Sequence, residues 1–191
     1  MKPLVFATHN QDKLNEIQAL FPISFQLISL HDIDIREEIP ETASTLEGNA
    51  IQKVQYVYRR AGIPCFADDT GLEVEALNGE PGTYSARYAG MHASYTDNLK
   101  KLMLKMSSQT NRKARFKTVI AYTDGYVTKT FEGVIQGTIA TAASGRNGFG
   151  YDPVFIPEGY SQSFAEMEAK LKNTISHRAI AFKEFILFLT S

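Results

Sequence analysis

Phe66-Ala67-Asp68-Asp69-Thr70-Gly71-Leu72 sets two adjacent carboxylates behind an apolar run, Ile63-Pro64-Cys65-Phe66-Ala67. The run is short, opened by proline and free of charge, which is the pattern of a buried strand. The spacing predicts that this strand ends at Asp68 and Asp69, with Gly71 letting the backbone turn sharply. Buried like charges repel and lose hydration, so carboxylates placed there need hydrogen-bond donors, a proton or a metal ion. Two readings of the pair stand side by side. One is a strand-end turn, with one carboxylate capping it and the other solvated; the other is a catalytic or metal site.

Upstream, Leu4-Val5-Phe6-Ala7 is a second buried-strand pattern. It leads through the polar loop Thr8-His9-Asn10-Gln11-Asp12-Lys13 into a segment with Leu14, Ile17 and Phe21 at helical spacing. A helix opened in this way presents free backbone N–H groups, where an anion is favoured. Thr8, Asn10 and Lys13 add a hydroxyl, an amide and a cation. The Walker glycines are missing, so this is no P-loop. The plainer alternative makes Asn10 or Asp12 a simple N-cap and Lys13 a solvated charge. Phe25 to Leu30 suggests another strand, and an acidic loop from Asp32 to Glu41 follows. Most of its carboxylates are expected in solvent, while Glu41 stands beside the next helix start. Ser44-Thr45-Leu46-Glu47 has capping-box spacing, and the helix runs through Ala50, Val54, Val57 and Ala61. Asn49 and Lys53 lie four residues apart on one of its faces, and Gly62 ends it.

Downstream, Leu72 to Leu77 alternates as a half-exposed strand, with Glu73 and Glu75 toward solvent. Turn residues 78–83 then present Arg87 between Tyr84 and Tyr88, either a shielded surface arginine or an anion clamp. Ser94 to Met106 reads as a helix with Leu99, Leu102, Met103 and Met106 inward. Lys113 to Gly133 reads as a hairpin about Asp124-Gly125, with Val127 and Phe131 inward on the return. Ser144 to Pro153 is a glycine loop in which Gly148 and Gly150 flank Phe149. There a planar ligand could approach the backbone and stack on the ring; an ordinary packing anchor is the alternative. After a short strand, Val154-Phe155-Ile156, the final helix buries Phe182, Phe185, Ile186 and Leu189. Lys172, His177 and Arg178 fall near its start, where positive charge opposes the helix dipole; such a broken rule marks a site that expects an anion.

The 191 residues are 43% hydrophobic and 21% charged, enough for one domain with a substantial core. A net charge of -1 argues against a protein held mainly by a nucleic-acid backbone. The single cysteine, Cys65, excludes an intramolecular disulfide framework and a multi-cysteine zinc site, and its apolar neighbours make it a core residue. There is no signal-peptide pattern and no long apolar span, so no membrane partner is expected and the cytoplasm is the expected compartment.

Taken together, an acidic centre (Asp68, Asp69 and Glu41) is joined by separate donor clusters at Thr8–Lys13, Lys53, Arg87 and Lys172–Arg178. Carboxylates hold Mg²⁺, and Mg²⁺ commonly bridges them to substrate phosphate. Donors spread along a chain can hold several phosphates, and Phe149 can stack on a base. These residues point to a metal-dependent enzyme acting on a nucleotide.

Six motifs occur together and in order. They are Thr8-His9-Asn10…Lys13, Glu41-Thr42…Asn49-Ala50…Lys53, Ala67-Asp68-Asp69-Thr70-Gly71-Leu72 and Pro81-Gly82…Ser85-Ala86-Arg87-Tyr88. Gly148-Phe149-Gly150-Tyr151-Asp152-Pro153 and Lys172-Asn173…Ser176-His177-Arg178 complete the series. Nearly the whole chain thereby resembles the Ham1/inosine triphosphate pyrophosphatase family. The resemblance implies one domain over residues 1–191. Its fold would be an elongated α/β protein with a mixed central sheet, flanking helices and a cleft between two lobes, usually a homodimer. It implies Mg²⁺-dependent hydrolysis of ITP, dITP and XTP to the monophosphate and pyrophosphate, which cleanses the nucleotide pool.

By the same resemblance, the loop Thr8, His9, Asn10, Gln11, Asp12, Lys13 holds substrate phosphate, led by Thr8, Asn10 and Lys13. His9 stands where the family often has glycine and receives no individual role. Asp69 would be the catalytic residue and, with Glu41, a metal ligand; Asp68, Asn49 and Arg87 would support. Lys53 would lie near the phosphates and Thr70, a serine in many relatives, would touch substrate. Phe149 would stack on the base, with Gly150, Tyr151, Asp152, Lys172, His177 and Arg178 lining the pocket. Rival readings are a pyrophosphatase of different base preference, a non-catalytic nucleotide sensor, and a phosphatase releasing orthophosphate.

Overall fold

The computed structural model describes all of residues 1–191. Six strands form one sheet in the order β2-β1-β3-β4-β5-β6. They are β1 (Lys2–Phe6), β2 (Phe25–Ser29), β3 (Cys65–Val74), β4 (Lys113–Thr123), β5 (Thr128–Ile139) and β6 (Phe155–Pro157). The helices are α1 (Gln11–Leu20), α2 (Leu46–Ala61), α3 (Tyr95–Met106), α4 (Ala169–Ile175) and α5 (His177–Thr190). The sheet is mixed: β1 runs parallel to β2 and to β3, while β5 and β6 are antiparallel. This is the α/β architecture with a mixed central sheet and flanking helices that the resemblance implied.

The chain divides into two compact units, one of Met1–Asp69, Thr118–Gly133 and Ala179–Ser191, the other of Thr70–Lys117 and Val134–Arg178. In the first unit both faces of the strands are covered, which explains their unbroken apolar runs. Val5, Ala7, Cys65, Ala67, Val119 and Ala121 pack with Ala50, Val54 and Val57 of α2. Leu4, Phe6, Phe66, Ile120 and Tyr122 point the other way, onto Ile17 of α1 and Phe182 and Phe185 of α5. Phe6 and Phe66 stack with ring centres 4.5 Å apart and nearly parallel planes. In the second unit Leu72, Val74, Ala114 and Phe116 share a core with Leu102 and Met106 of α3 and with Phe155 and Phe164. The intervening Glu73 and Arg115 pair at 2.6 Å.

Several local expectations need correction. The strand predicted to end at Asp68 and Asp69 continues through both to Val74, and Gly71 has no left-handed backbone. The carboxylates find partners on the covering helices, so nothing forces the ladder to stop. The predicted strand over 72–77 is therefore the end of β3, followed by one 3₁₀ turn at Glu75–Leu77. Helix α2 is capped by Thr45, whose side chain accepts from Gly48 N–H, rather than by a Ser44–Glu47 box. Val127 is exposed instead of inward, because Asp124 Oδ1 draws Tyr126 and Val127 N–H into the turn. Lys172 lies in the last turn of α4, where it complements that helix's dipole, and only His177 and Arg178 open α5.

Candidate active site

Strand alternation sends Asp68 and Asp69 to opposite faces of β3. Along β3, Asp69 shares a face with Cys65 and Ala67, toward α2, while Asp68 shares a face with Phe66, toward α1. The two carboxylates leave the strand in opposite directions and each meets its own lysine. Asp68 Oδ1 lies 3.0 Å from Lys13 Nζ, one turn before Ile17 on α1. Asp69 faces the Asn49–Lys53 stripe of α2: Asn49 Nδ2 donates to Oδ2 at 3.1 Å and Lys53 Nζ to Oδ1 at 3.3 Å. Lys53 also donates to Glu41 Oε1 at 2.8 Å and to the Asp68 carbonyl at 2.6 Å. Asn49 is held in turn by Ala43 N–H, at 2.9 Å from its Oδ1.

Burial pushes the Asp69 carboxyl above its ordinary value, against the pull of Lys53 and Lys13, and Glu41 adds to the rise. Burial also works against charge on Lys53, yet Asp69, Glu41 and Asp68 outweigh it and hold the ammonium above the usual lysine range. The cluster thus sets a carboxyl raised by burial beside a lysine whose ammonium form the neighbouring carboxylates favour. No group of three or more His, Cys, Asp or Glu side chains is disposed to hold a metal. The carboxylates that do converge are two, Glu41 and Asp69, both on Lys53 Nζ.

The loop before α1 is committed to the helix start. Asn10 is the N-cap: its Oδ1 accepts from Lys13 N–H at 3.1 Å, and its own N–H donates to Thr8 Oγ1 at 3.1 Å. His9 Nε2 donates to the Glu37 carbonyl at 2.9 Å, Gln11 Nε2 donates to Asn15 Oδ1 at 2.9 Å, and Asp12 sits in the first turn. Of the plain alternatives, capping by Asn10 is what the structure has, but Lys13 is paired rather than solvated.

In the second unit, Asp152 Oδ2 accepts from Lys172 Nζ at 2.6 Å and from Phe149 N–H at 2.9 Å. Gly148 has φ +71°, and a Cβ there would lie 2.0 Å from that oxygen, so the close approach requires glycine. Gly150 follows with φ +63° and open space around it. Lys172 Nζ stands 5.0 Å, and the Arg178 guanidinium 5.6 Å, from the Phe149 ring centre. Arg178 also donates to Thr70 Oγ1 at 3.2 Å. Phe149, Asp152, Lys172, Arg178 and Thr70 therefore form one connected group. Tyr151 is anchored elsewhere, donating its hydroxyl to the Ser85 carbonyl at 2.8 Å, and burial raises its phenol. His177 is buried and stacks on Phe116 at 4.5 Å. The Arg87 guanidinium lies 5.3 Å from the Tyr84 ring centre. Sequence reasoning missed Tyr95, whose ring centre is 5.7 Å from that of Phe149. Its signal was available: it follows the cap Ser94 and stands at i, i+4 and i+7 spacing with Leu99 and Leu102 of α3.

The model of the Ham1 family matches residues 4–188. A dITP/XTP pyrophosphatase of Porphyromonas gingivalis is 53% identical over 190 residues, covering 99% of this chain and 98% of the relative. A dITP/XTP pyrophosphatase of Staphylococcus aureus is 41% identical over 93% of this chain and 91% of its own length. Among solved structures, the Staphylococcus aureus Ham1 protein superposes with a TM-score of 0.90 at 40% identity, covering 99% of this chain and 98% of that one. A HAM1 protein from Coxiella burnetii gives 0.91 at 35% identity, over 100% and 99%. These likenesses run nearly end to end, through both units and every motif quoted above, and on that ground the chain belongs to the Ham1 family.

Proposed function

We propose that the protein hydrolyses non-canonical purine nucleoside triphosphates, namely ITP, dITP and XTP, to the monophosphate and pyrophosphate. It would act as one catalytic domain over residues 1–191, as a homodimer, on the cytoplasmic nucleotide pool. The observation that carries the reading is the 53% identity, over 99% of the chain, to a protein named dITP/XTP pyrophosphatase. No helix is long and apolar enough to cross a membrane.

Phosphate chemistry belongs to the first unit. The capped start of α1 offers backbone N–H groups, and Lys13 and Lys53 offer positive charge against the oxygens of the leaving pyrophosphate. Asp69, buried and raised, accepts the proton of the water whose oxygen attacks the α-phosphorus. The bond to the bridging oxygen breaks, and pyrophosphate leaves with its electron pair. Glu41 and Asp69 fit a Mg²⁺ ion, because two convergent carboxylates are a usual protein share of a site completed by phosphate and water. Bound there, Mg²⁺ would supply further positive charge for phosphate oxygens.

Base recognition belongs to the second unit. The Phe149 ring offers a stacking face, and Lys172 and Arg178 offer donors for the 6-oxo group of hypoxanthine or xanthine. Adenine presents an amino group there, leaving donors unpaired at about 1–3 kcal/mol each.

The test is product analysis with dITP and Mg²⁺ for the wild type and Asp69→Asn, with dATP and dGTP as controls. The expected products are dIMP and pyrophosphate, from dITP only, with the rate reduced about a hundred-fold or more in the variant. Release of orthophosphate would move the attack to the γ-phosphate and end this reading.

A further inference from the structure

Phe149 stands between two glycines with positive φ, on a loop whose nearest tie is its own N–H to Asp152. That bond fixes the backbone but leaves the ring free to rotate, so ring orientation must come from what touches the ring. Lys172 and Arg178 attract it by charge, which is tolerant of tilt. Tyr95 is its aromatic neighbour, at 5.7 Å between centres and 38° between planes.

Tyr95 is well placed to hold something still. It is the first residue of α3, directly after Ser94, which forms a reciprocal capping box with Asp97. One turn on, Asn98 is buried and fastens the helix start: Oδ1 accepts from Ala89 N–H at 2.7 Å, and Nδ2 donates to the Ala86 carbonyl at 3.0 Å. Leu102 and Met106 root the rest of the helix in the core with no exposed surface. Tyr95 shares the core-facing side of α3 with Leu99 and Leu102, yet it is 42% exposed and stands outside the buried cluster.

We infer that Tyr95 is a positioning residue that sets the tilt of the Phe149 ring, and thereby governs how tightly the purine base is stacked. The inference rests on the reading of Phe149 as the base platform. Tyr95 meets the ring read as the base platform, so its effect falls on substrate binding and leaves the chemical step unaltered.

The test is steady-state kinetics with dITP for the wild type, Tyr95→Ala, Tyr95→Phe, Phe149→Ala and the double variant Tyr95→Ala/Phe149→Ala. An aromatic pair of this geometry corresponds to a rise in KM of about three- to ten-fold on Tyr95→Ala, with kcat within about two-fold of wild type. Tyr95→Phe keeps the ring and restores the wild-type KM. In the Phe149→Ala background, Tyr95→Ala has no further effect, since there is no ring left to orient. An unchanged KM in Tyr95→Ala, an equal rise in Tyr95→Phe, or a full rise in the Phe149→Ala background would each overturn the inference. Failure of the wild type to turn over dITP, or an unaltered KM in Phe149→Ala, would instead remove the reading beneath it.

Discussion

Lys53→Met keeps the length and most of the volume of the side chain while deleting the charge on which the first constellation turns. In the native protein the ammonium serves Glu41 Oε1 at 2.8 Å, the Asp68 carbonyl at 2.6 Å and Asp69 Oδ1 at 3.3 Å. Removing one partner of a buried pair costs about 3–5 kcal/mol. Two features reduce that here: Asn49 still donates to Asp69, and the Glu41 side chain is 30% exposed. The expected loss at about pH 8 is therefore about 2–3 kcal/mol. Its pH dependence follows from the signs. Lys53 is raised in the folded state, so its stabilisation is fully present below the ordinary lysine value and constant from about pH 5 to 8. Asp69 is raised too, so the folded chain holds that proton more tightly, and stability increases as pH falls through its folded value. Without the ammonium, Asp69 rises further, and acid relieves more of the penalty in the variant than in the wild type. Urea unfolding at about pH 8 and about pH 5 measures this, followed by circular dichroism and by tyrosine fluorescence, since the chain has no tryptophan. A cost below about 1 kcal/mol at the higher pH, or one that grows toward the lower pH, would refute the assignment of Lys53 as the neutralising group.

Two other outcomes test the packing around the sites. Gly148→Ala places a Cβ 2.0 Å from Asp152 Oδ2, whereas Gly150→Ala meets nothing within 4 Å, although both have positive φ. Thermal melts should show about 1–2 kcal/mol lost at Gly150 and at least about 1 kcal/mol more at Gly148; equal losses would mean that Asp152 is not held where the structure has it. Cys65 is buried, with its thiol pushed up to about 12 by desolvation. Ellman's reagent should leave the native protein unmodified and titrate one thiol after unfolding; rapid native reaction would show that β3 opens.

How much of this was legible beforehand divides along a physical line. Local periodicity and caps are written in neighbouring residues, so β1, α2, α3 and α5 could be placed from apolar spacing alone, with Gly62 in its left-handed C-cap. The i, i+4 spacing of Asn49 and Lys53 likewise showed that both face the same way. The order of six motifs sufficed to recognise the family. What local pattern could not show was which partner each buried charge would find. Asp68 and Asp69 look like one acidic centre along the chain, but the strand runs on through them and alternation sends them to opposite faces, to Lys13 and Lys53. Phe149 is assembled with Tyr95, Lys172 and Arg178 from three distant segments. By itself the sequence determined the family, most of the elements and the apolar faces of the main helices. Tertiary structure alone decided the charge pairing and the setting of the aromatic ring, because desolvation makes a buried charge depend on whatever the fold brings beside it.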